Sequence, residues 1–250
     1  MKSNIFDFNR FGLLVRKRFL DSKSSTIYEI LGLAAVFAVI FGLAATTGSI
    51  STETQKVVFI VGIVVLGIIY ADRAFAETKG KIKGMAYLAT PASQLEKLLN
   101  AIFYTSVIFP IAFFLIFLAV DGLFYAGINA TGLVRMQSFL EFDAGSMANS
   151  FRPFLIVQSV YMLGSIWFGK RSLLKTTLAI VLFYGILIAV GGIIIRINYE
   201  GLSAFVDHSE GIHLDLGPEK FEMVGLKYLL WLLPPFFWTV AYFRLSEKQI

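Results

Sequence analysis

Hydrophobic residues follow one another in six long runs that are separated by more polar stretches, and this pattern dominates the chain. A helix that crosses a bilayer needs about 20 consecutive apolar residues, with a range of roughly 17–25. The runs fall near that length, so the sequence predicts an all-α membrane protein with six transmembrane helices. The predicted spans are about 27–46, 55–71, 99–127, 153–169, 173–195 and 226–243.

Composition supports the same fold class. Hydrophobic residues make up 57% of the 250 positions and charged residues 16%, whereas a typical soluble domain has about 25% charged residues. The 25 phenylalanines are expected to suit helices that face lipid. Cysteine is missing from the sequence, which excludes disulfides, thiolate nucleophiles and cysteine metal sites.

Basic residues are distributed unevenly among the loops. Sixteen of the 22 Lys and Arg residues lie before the first span, in the segments 72–98 and 170–175, or after span six. Basic loops remain on the cytoplasmic side of a membrane, so both termini are predicted to be cytoplasmic. We expect a multi-pass protein of the cell inner (cytoplasmic) membrane. The sequence has no aromatic-plus-basic constellation for binding nucleic acid.

Residues 1–26 are predicted to form a cytoplasmic interfacial element, the elbow helix, ahead of the six-span domain over 27–250. Four apolar residues recur at helical spacing on one side of this element, and Arg10 lies opposite to them; they are Phe8, Phe11, Val15 and Phe19. This periodicity predicts an amphipathic helix in the plane of the bilayer surface. Arg18 falls near the apolar side, and a disordered basic tail remains the alternative.

A polar stretch over 89–100 precedes the third span, and two positions for its helix start are open. Thr90 can be the N-cap, with Pro91 at the first helical position, where its missing donor is harmless. Alternatively, Ser93 is the N-cap and Glu96 completes a capping box. The apolar residues that follow keep helical spacing, so one continuous helix is expected to begin in the cytosol and run into span three.

Two short strings resemble a known family. The first is Arg10-Phe11-Gly12-Leu13-Leu14, and the second runs from Leu88 to Leu98 and reads LATPASQLEKL. Both resemble permease subunits of ABC-2 type ABC transporters in the form common among Bacteroidetes. Those chains often carry an RFGLL-like string in a phenylalanine-rich arm and an LPASxxEKxL string before span three. In the family string a leucine directly precedes the proline. In this chain Ala89 and Thr90 stand between Leu88 and Pro91.

The resemblance implies a mechanism and a set of partners. The cytosolic segment between spans two and three would contact a separate ABC ATPase subunit, which binds ATP and Mg²⁺, and this chain would bind no cofactor itself. Two permease chains, as a homodimer or heterodimer, would rock between inward and outward states. The implied ATPase-coupling residues are Phe75, Ile82, Met85, Leu88, Pro91, Ser93, Glu96 and Lys97. Plain capping of a membrane helix is the alternative reading of the polar part of this segment.

Several polar residues and prolines within the spans are candidate sites. Pro110, Pro234 and Pro235 are candidate hinges, because proline breaks helical hydrogen bonding, although membrane helices also tolerate such kinks. Asp121 is read as an interfacial residue at the outer end of span three. Polar side chains in span four, among them Gln158, are more simply explained by helix packing. The pair His208 and His213 matches no compact metal motif.

Enzyme signatures are missing from the sequence, which contains no HExxH, GxSxG or P-loop motif. The chain is therefore not expected to hydrolyse ATP, and no catalytic or metal-binding residue is assigned. Two alternatives to an ABC permease stay open: a stand-alone secondary transporter or channel, and a non-transporting scaffold or regulatory subunit. A stand-alone transporter would be expected to have paired polar residues within its spans, and no such pair is evident in the sequence.

Overall fold

The computed structural model describes residues 6–21, 23–46, 49–76, 91–131, 135–136, 139, 144–206 and 230–247. This part of the chain is almost entirely helical. Its α-helices are α1 Phe8–Asp21, α2 Lys23–Ala45, α3 Thr52–Arg73, α4 Gln94–Phe103, α5 Phe109–Thr131, α6 Ala144–Trp167, α7 Ser172–Val206 and α8 Leu233–Glu247. A π turn, Tyr104–Ile108, joins α4 to α5, and a 3₁₀ turn, Leu230–Leu232, precedes α8.

Four helices in the described ranges are long and apolar enough to cross a membrane: Thr26–Ala45, Thr52–Arg73, Gln94–Ala130 and Ser172–Ile194. They correspond to predicted spans one, two, three and five. The helix of span five continues beyond the predicted end, to Val206. Predicted span four lies in α6, which has 24 residues but contains Arg152 and Pro153. Predicted span six lies in α8, whose described helix has 15 residues.

An aromatic cluster fills the space between α2, α3, α5 and α6. Its buried rings make edge and tilted contacts, such as Phe37 with Phe117 at 5.2 Å and Phe59 with Phe113 at 5.4 Å between centroids. Such pairs stabilise a core beyond the area that they bury. Its buried phenylalanines are Phe37, Phe41, Phe59, Phe109, Phe113, Phe117, Phe139 and Phe154. The expectation that phenylalanine serves lipid-facing surfaces is therefore wrong for these eight.

A second cluster joins the end of α3 to α4, α6 and α8. Its buried members include Phe75 after α3, Leu98 on α4, Met162 on α6 and Leu245 on α8. Phe75 has no exposed surface. The segment that leaves α3 is therefore fixed to three other helices before the chain reaches residue 77.

The third span is one continuous helix, as the sequence predicts, but it is not a uniform α-helix. The backbone N–H of Phe109 donates to the carbonyl of Tyr104, five residues earlier, which defines the π turn. Pro110 follows directly and has no N–H to donate. Every fourth residue along this helix is buried, and the stripe consists of Lys97, Ala101, Thr105, Phe109, Phe113, Phe117 and Asp121.

Two helix contacts depend on glycine. A Cβ atom on Gly67 of α3 would lie 2.5 Å from the Phe154 ring of α6. A Cβ atom on Gly164 of α6 would overlap the side chain of Thr176 on α7. Small residues let membrane helices approach closely, so both glycines set the spacing of α6 from its neighbours.

Candidate functional site

Helix α4 begins with a complete capping box. The backbone N–H of Glu96 donates to Ser93 Oγ at 3.1 Å, and the backbone N–H of Ser93 donates to Glu96 Oε2 at 2.8 Å. These bonds satisfy donors that a helix start leaves unpaired. The second of the two predicted starts is therefore confirmed, and the reading of Pro91 as the first helical residue is wrong, because Pro91 lies in a bend before the cap.

The same carboxylate also holds the elbow helix. Glu96 Oε1 accepts a hydrogen bond from the backbone N–H of Asp7 at 2.8 Å and forms an ion pair with Arg10 Nη2 at 3.0 Å. The Asp7 side chain in turn accepts from the backbone N–H of Asn9 at 2.8 Å, which caps the first turn of α1. Glu96 has no exposed surface, so one buried acidic group fixes the starts of two helices.

Aromatic residues make a second attachment further along α1. The Tyr104 hydroxyl donates to the backbone carbonyl of Val15 at 2.9 Å, and the Arg18 guanidinium lies 4.8 Å from the centre of the Tyr104 ring. Arg18 also donates to the carbonyl of Ala74, just after α3, at 3.5 Å. Phe11 meets Phe103 edge-on at 6.2 Å. We call these contacts, together with those of Glu96, the elbow junction.

Polar contacts tie the end of α3 to two further helices. The Tyr70 hydroxyl donates to Glu29 of α2, and Arg73 pairs with the same carboxylate at 3.3 Å. The Ser172 hydroxyl, at the start of α7, donates to Asp72. The last turn of α3 therefore contacts α2 and α7 directly, and Ala74 reaches α1 through Arg18. Residues 77–90 follow this point in the sequence.

The structure divides the predicted coupling residues into two groups. Phe75, Glu96 and Lys97 are buried, Ser93 is half-buried, and Pro91 is exposed. Because Glu96 and Lys97 face the protein interior, neither presents its side chain to an external partner in this conformation. The remaining three, Ile82, Met85 and Leu88, lie outside the described residues.

The predicted apolar side of the elbow is divided between two environments. Phe11 and Val15 lie half-buried on the face that meets α4, whereas Phe8 is 81% exposed and Phe19 is also exposed. Arg10 is partly buried because it reaches Glu96. Arg18 interrupts the apolar periodicity for a local reason, since it binds the Tyr104 ring and the Ala74 carbonyl. The position of Arg18 near the apolar side is visible in the sequence, but these two contacts are not.

The candidate hinge prolines occupy two different settings. Pro234 and Pro235 lie in the first turn of α8, directly after the 3₁₀ turn, where backbone N–H groups have no acceptor within the helix. Their role as a hinge stays a prediction. Pro110 does lie inside a long helix. The π turn before it is the local departure from α geometry that its missing donor favours.

A buried polar pair lies next to this π turn. Gln158 Nε2 of α6 donates to Thr105 Oγ1 at 2.5 Å, and Thr105 Oγ1 donates to the carbonyl of Ala101 at 2.8 Å. Sequence analysis named Gln158 but missed Thr105, and it found no polar pair within the spans. Thr105 lies four residues from Ala101 and from Phe109, and this spacing could have indicated that it shares their buried face.

Asp121 is more enclosed than an interfacial position predicts. Its side chain is buried, and its carboxylate accepts a hydrogen bond from the backbone of Phe139. Nearby, the Asn129 side chain bonds both to the N–H and to the carbonyl of Met136, each at 3.3 Å. The segment that holds Met136 pairs with Ser49–Ile50, so these loops cover the end of α5.

No group of three potential metal ligands occurs among the residues that the structure describes, and His208 and His213 lie outside them. Comparison with protein-family models, with curated proteins and with solved structures finds no match for this chain. The elbow junction and the polar pair beside the π turn are therefore the candidate sites, and both are defined by their geometry alone.

Proposed function

We propose that this chain is the transmembrane permease subunit of an ABC-2 type exporter in the inner membrane. It would couple ATP hydrolysis by a separate ATPase subunit, which carries the nucleotide and Mg²⁺, to movement of a substrate. The observation that supports this proposal best is the elbow junction. It joins the start of the third span to helix α1. The segment between spans two and three, on which such an ATPase would act, leads directly into this junction.

The coupling requires a stiff connection between the cytosol and the membrane. The helix from Gln94 to Ala130 has 37 residues, or about 55 Å at 1.5 Å per residue. Its first turn is capped by Ser93 and Glu96 and is attached to α1 through Arg10. A push on residues 77–90 would therefore move a continuous rod instead of being absorbed by a flexible loop.

Contacts at the end of α3 would transmit the same displacement to other helices. Phe75 is packed with Leu98 in the second cluster, so displacement of the chain after α3 would also displace α4. Contacts of Tyr70 and Asp72 extend the connection to α2 and α7. The elbow, the third span and the helices around them would move together, as alternating access requires.

The complete topology in this proposal has six spans with both termini in the cytoplasm. Helices α6 and α8 would supply spans four and six, in addition to the four helices that meet the length and composition requirement alone. The distribution of Lys and Arg supports this orientation. Each basic cluster then lies at the cytoplasmic end of a helix pair.

The proposed dimer is supported by the environment of α7. Every residue from 181 to 190 is exposed within the single chain, and no residue from 177 to 194 is buried. Ser172 and Thr176, in the first turns of α7, are buried. Near the start of α7, Thr176 and Thr177 contact α6. A second permease chain, or lipid, would cover the remainder.

Site-specific crosslinking to the ATPase tests the proposal, and it is simplified because the chain has no cysteine. A Met85→Cys variant, purified in mild detergent from its native host, is expected to crosslink to a protein with a P-loop motif whose ATPase activity depends on this chain. Leu123→Cys is the matched control, because Leu123 is exposed at the opposite end of the third span. The proposal fails if Met85→Cys captures no P-loop protein, or if both variants capture the same one equally.

A stand-alone transporter is the second candidate, and one observation favours it. Thr105 lies 11 residues after the first residue of α4, about 16 Å along the helix axis, which is near the middle of a hydrocarbon core of about 30 Å. Many transporters bind substrate near this depth, beside interrupted helices. If purified protein in vesicles transports a solute without an ATPase, and Gln158→Leu abolishes that transport, this candidate replaces the first.

A further inference from the structure

Helix α1 has two faces with different surroundings. Residues 10, 11, 14, 15 and 18 are half-buried against the bundle, whereas residues 8, 9, 12, 13, 16, 17, 19 and 20 are exposed. Contacts at both ends of α1, through Glu96 and Tyr104, fix the rotation of the helix about its axis. The exposed face therefore has a defined direction relative to the four candidate spans.

Two phenylalanines mark one edge of this exposed face, and Leu13 and Leu20 lie between its two basic residues. At 3.6 residues per turn, Phe8 and Phe19 lie about 20° apart and form one edge. Lys17 lies about 180° from Phe8, on the opposite edge, and Arg16 lies between the two edges at about 80°. Helix α1 carries the basic residues Arg10, Arg16, Lys17 and Arg18 and one acidic residue, Asp21, at its end, so its net charge is positive.

We propose that this face of α1 binds the anionic phospholipids of the membrane surface, with Arg16 and Lys17 holding their headgroups. The edge of Phe8 and Phe19 would enter the boundary of the acyl chains, as in interfacial helices. Arg16 would then lie at the level of the lipid phosphates and Lys17 closer to the cytosol. The proposal needs only that the candidate spans cross a membrane, and it is independent of an ATPase partner.

Anionic lipid is favoured over neutral lipid by charge complementarity. Basic residues near an anionic leaflet contribute about 1 kcal/mol each, which corresponds to about a fivefold preference per residue. A mobile basic tail would share this attraction among many positions. Here the elbow junction fixes the directions of both basic side chains, so the preference should be local to α1.

Fluorescence quenching by brominated lipids provides a direct test. Gly12 is exposed, lies between Phe19 and Arg16 around the helix, and has open space for a side chain. A Gly12→Cys variant can be labelled at one position because the chain has no cysteine. The labelled full-length protein is reconstituted into nanodiscs that contain brominated phosphatidylglycerol or brominated phosphatidylcholine at increasing mole fraction. We expect half-maximal quenching at a mole fraction at least fivefold lower for the anionic lipid.

Two charge-neutralised variants separate a local site from a general surface effect. Arg16→Gln with Lys17→Gln should make the two lipids quench equally, and folding should persist because both side chains are exposed. Lys170→Gln with Lys175→Gln removes the same charge from exposed positions at the α6–α7 turn and should leave the preference unchanged. Equal quenching by the two lipids in the parent protein, no quenching by either, or equal loss of preference in both variants would overturn the proposal.

Discussion

Replacement of Glu96 with alanine should detach the elbow helix from the third span without unfolding the bundle. The carboxylate accepts hydrogen bonds from the backbone N–H groups of Asp7 and Ser93 and pairs with Arg10. Hydrogen bonds to a charged group contribute about 1.5–3 kcal/mol each. The Arg10 side chain is 39% exposed, so its pairing energy must be discounted for solvent screening. We therefore expect a loss of about 2–4 kcal/mol in attachment energy.

Hydrogen–deuterium exchange in nanodiscs measures this loss where it occurs, because two of the broken bonds involve backbone amides. Each 1.4 kcal/mol corresponds to a tenfold change in an opening equilibrium. The amides of Asp7 and Ser93 should exchange about 30- to 700-fold faster in Glu96→Ala for a loss of about 2–4 kcal/mol. Glu96→Gln should fall between the two proteins, since a carboxamide oxygen can still accept a hydrogen bond but carries no charge.

Glu53 provides the control for this experiment. It is also an acidic residue in the first turn of its helix, but its side chain is 78% exposed and pairs only with the neighbouring Lys56 among the ion pairs described. Glu53→Ala should leave exchange at Asp7 and Ser93 unchanged. If Glu96→Ala also leaves the Asp7 amide protected to within twofold, then Glu96 does not hold the elbow and the proposed role of the junction is refuted.

Two further substitutions test the packing of the bundle and the second elbow contact. Gly164→Ala should lower the stability of the purified protein by about 1–3 kcal/mol, because the new methyl group overlaps Thr176. Thermal unfolding in detergent measures this loss. Gly185→Ala is the control and should not be destabilising, because its methyl group meets open space. Tyr104→Phe keeps the ring under Arg18 but removes the hydroxyl that donates to the Val15 carbonyl. An increase of about fivefold in exchange within α1 is expected for a loss of about 1 kcal/mol, and unchanged exchange would show that the hydroxyl contributes nothing.

Long apolar runs were the most predictable part of this fold. A run of about 20 hydrophobic residues allows few structures in a membrane, and four of the predicted spans meet the requirement in the described ranges. The first and last residues of the helices were less predictable, because a helix can begin or end away from the limits of its apolar run. The extension of α7 to Val206 and the position of Pro234 at a helix start illustrate this limit.

The candidate site was predictable only where its contacts are local in sequence. Ser93 and Glu96 are three residues apart, and their capping box could be read directly. The bonds from Asp7 to Glu96 and from Tyr104 to Val15 each join positions that are 89 residues apart, and a single sequence carries no record of such pairing. Arg18, which disturbed the apolar periodicity of the elbow, was the one local sign of a tertiary contact.

The π turn in the third span has a consequence for the length of the chain. Four residues of an α-helix turn about 400°, so a stripe of every fourth residue precesses by about 40° per step, or about 240° from Lys97 to Asp121. A π turn accommodates one extra residue and rotates the following helix back by about 100°. Without it, Phe113 and Phe117 would swing away from the aromatic cluster. A related chain with an uninterrupted α-helix here should therefore be one residue shorter between Ser93 and Pro110, and the two sequences should align with a single gap at this turn.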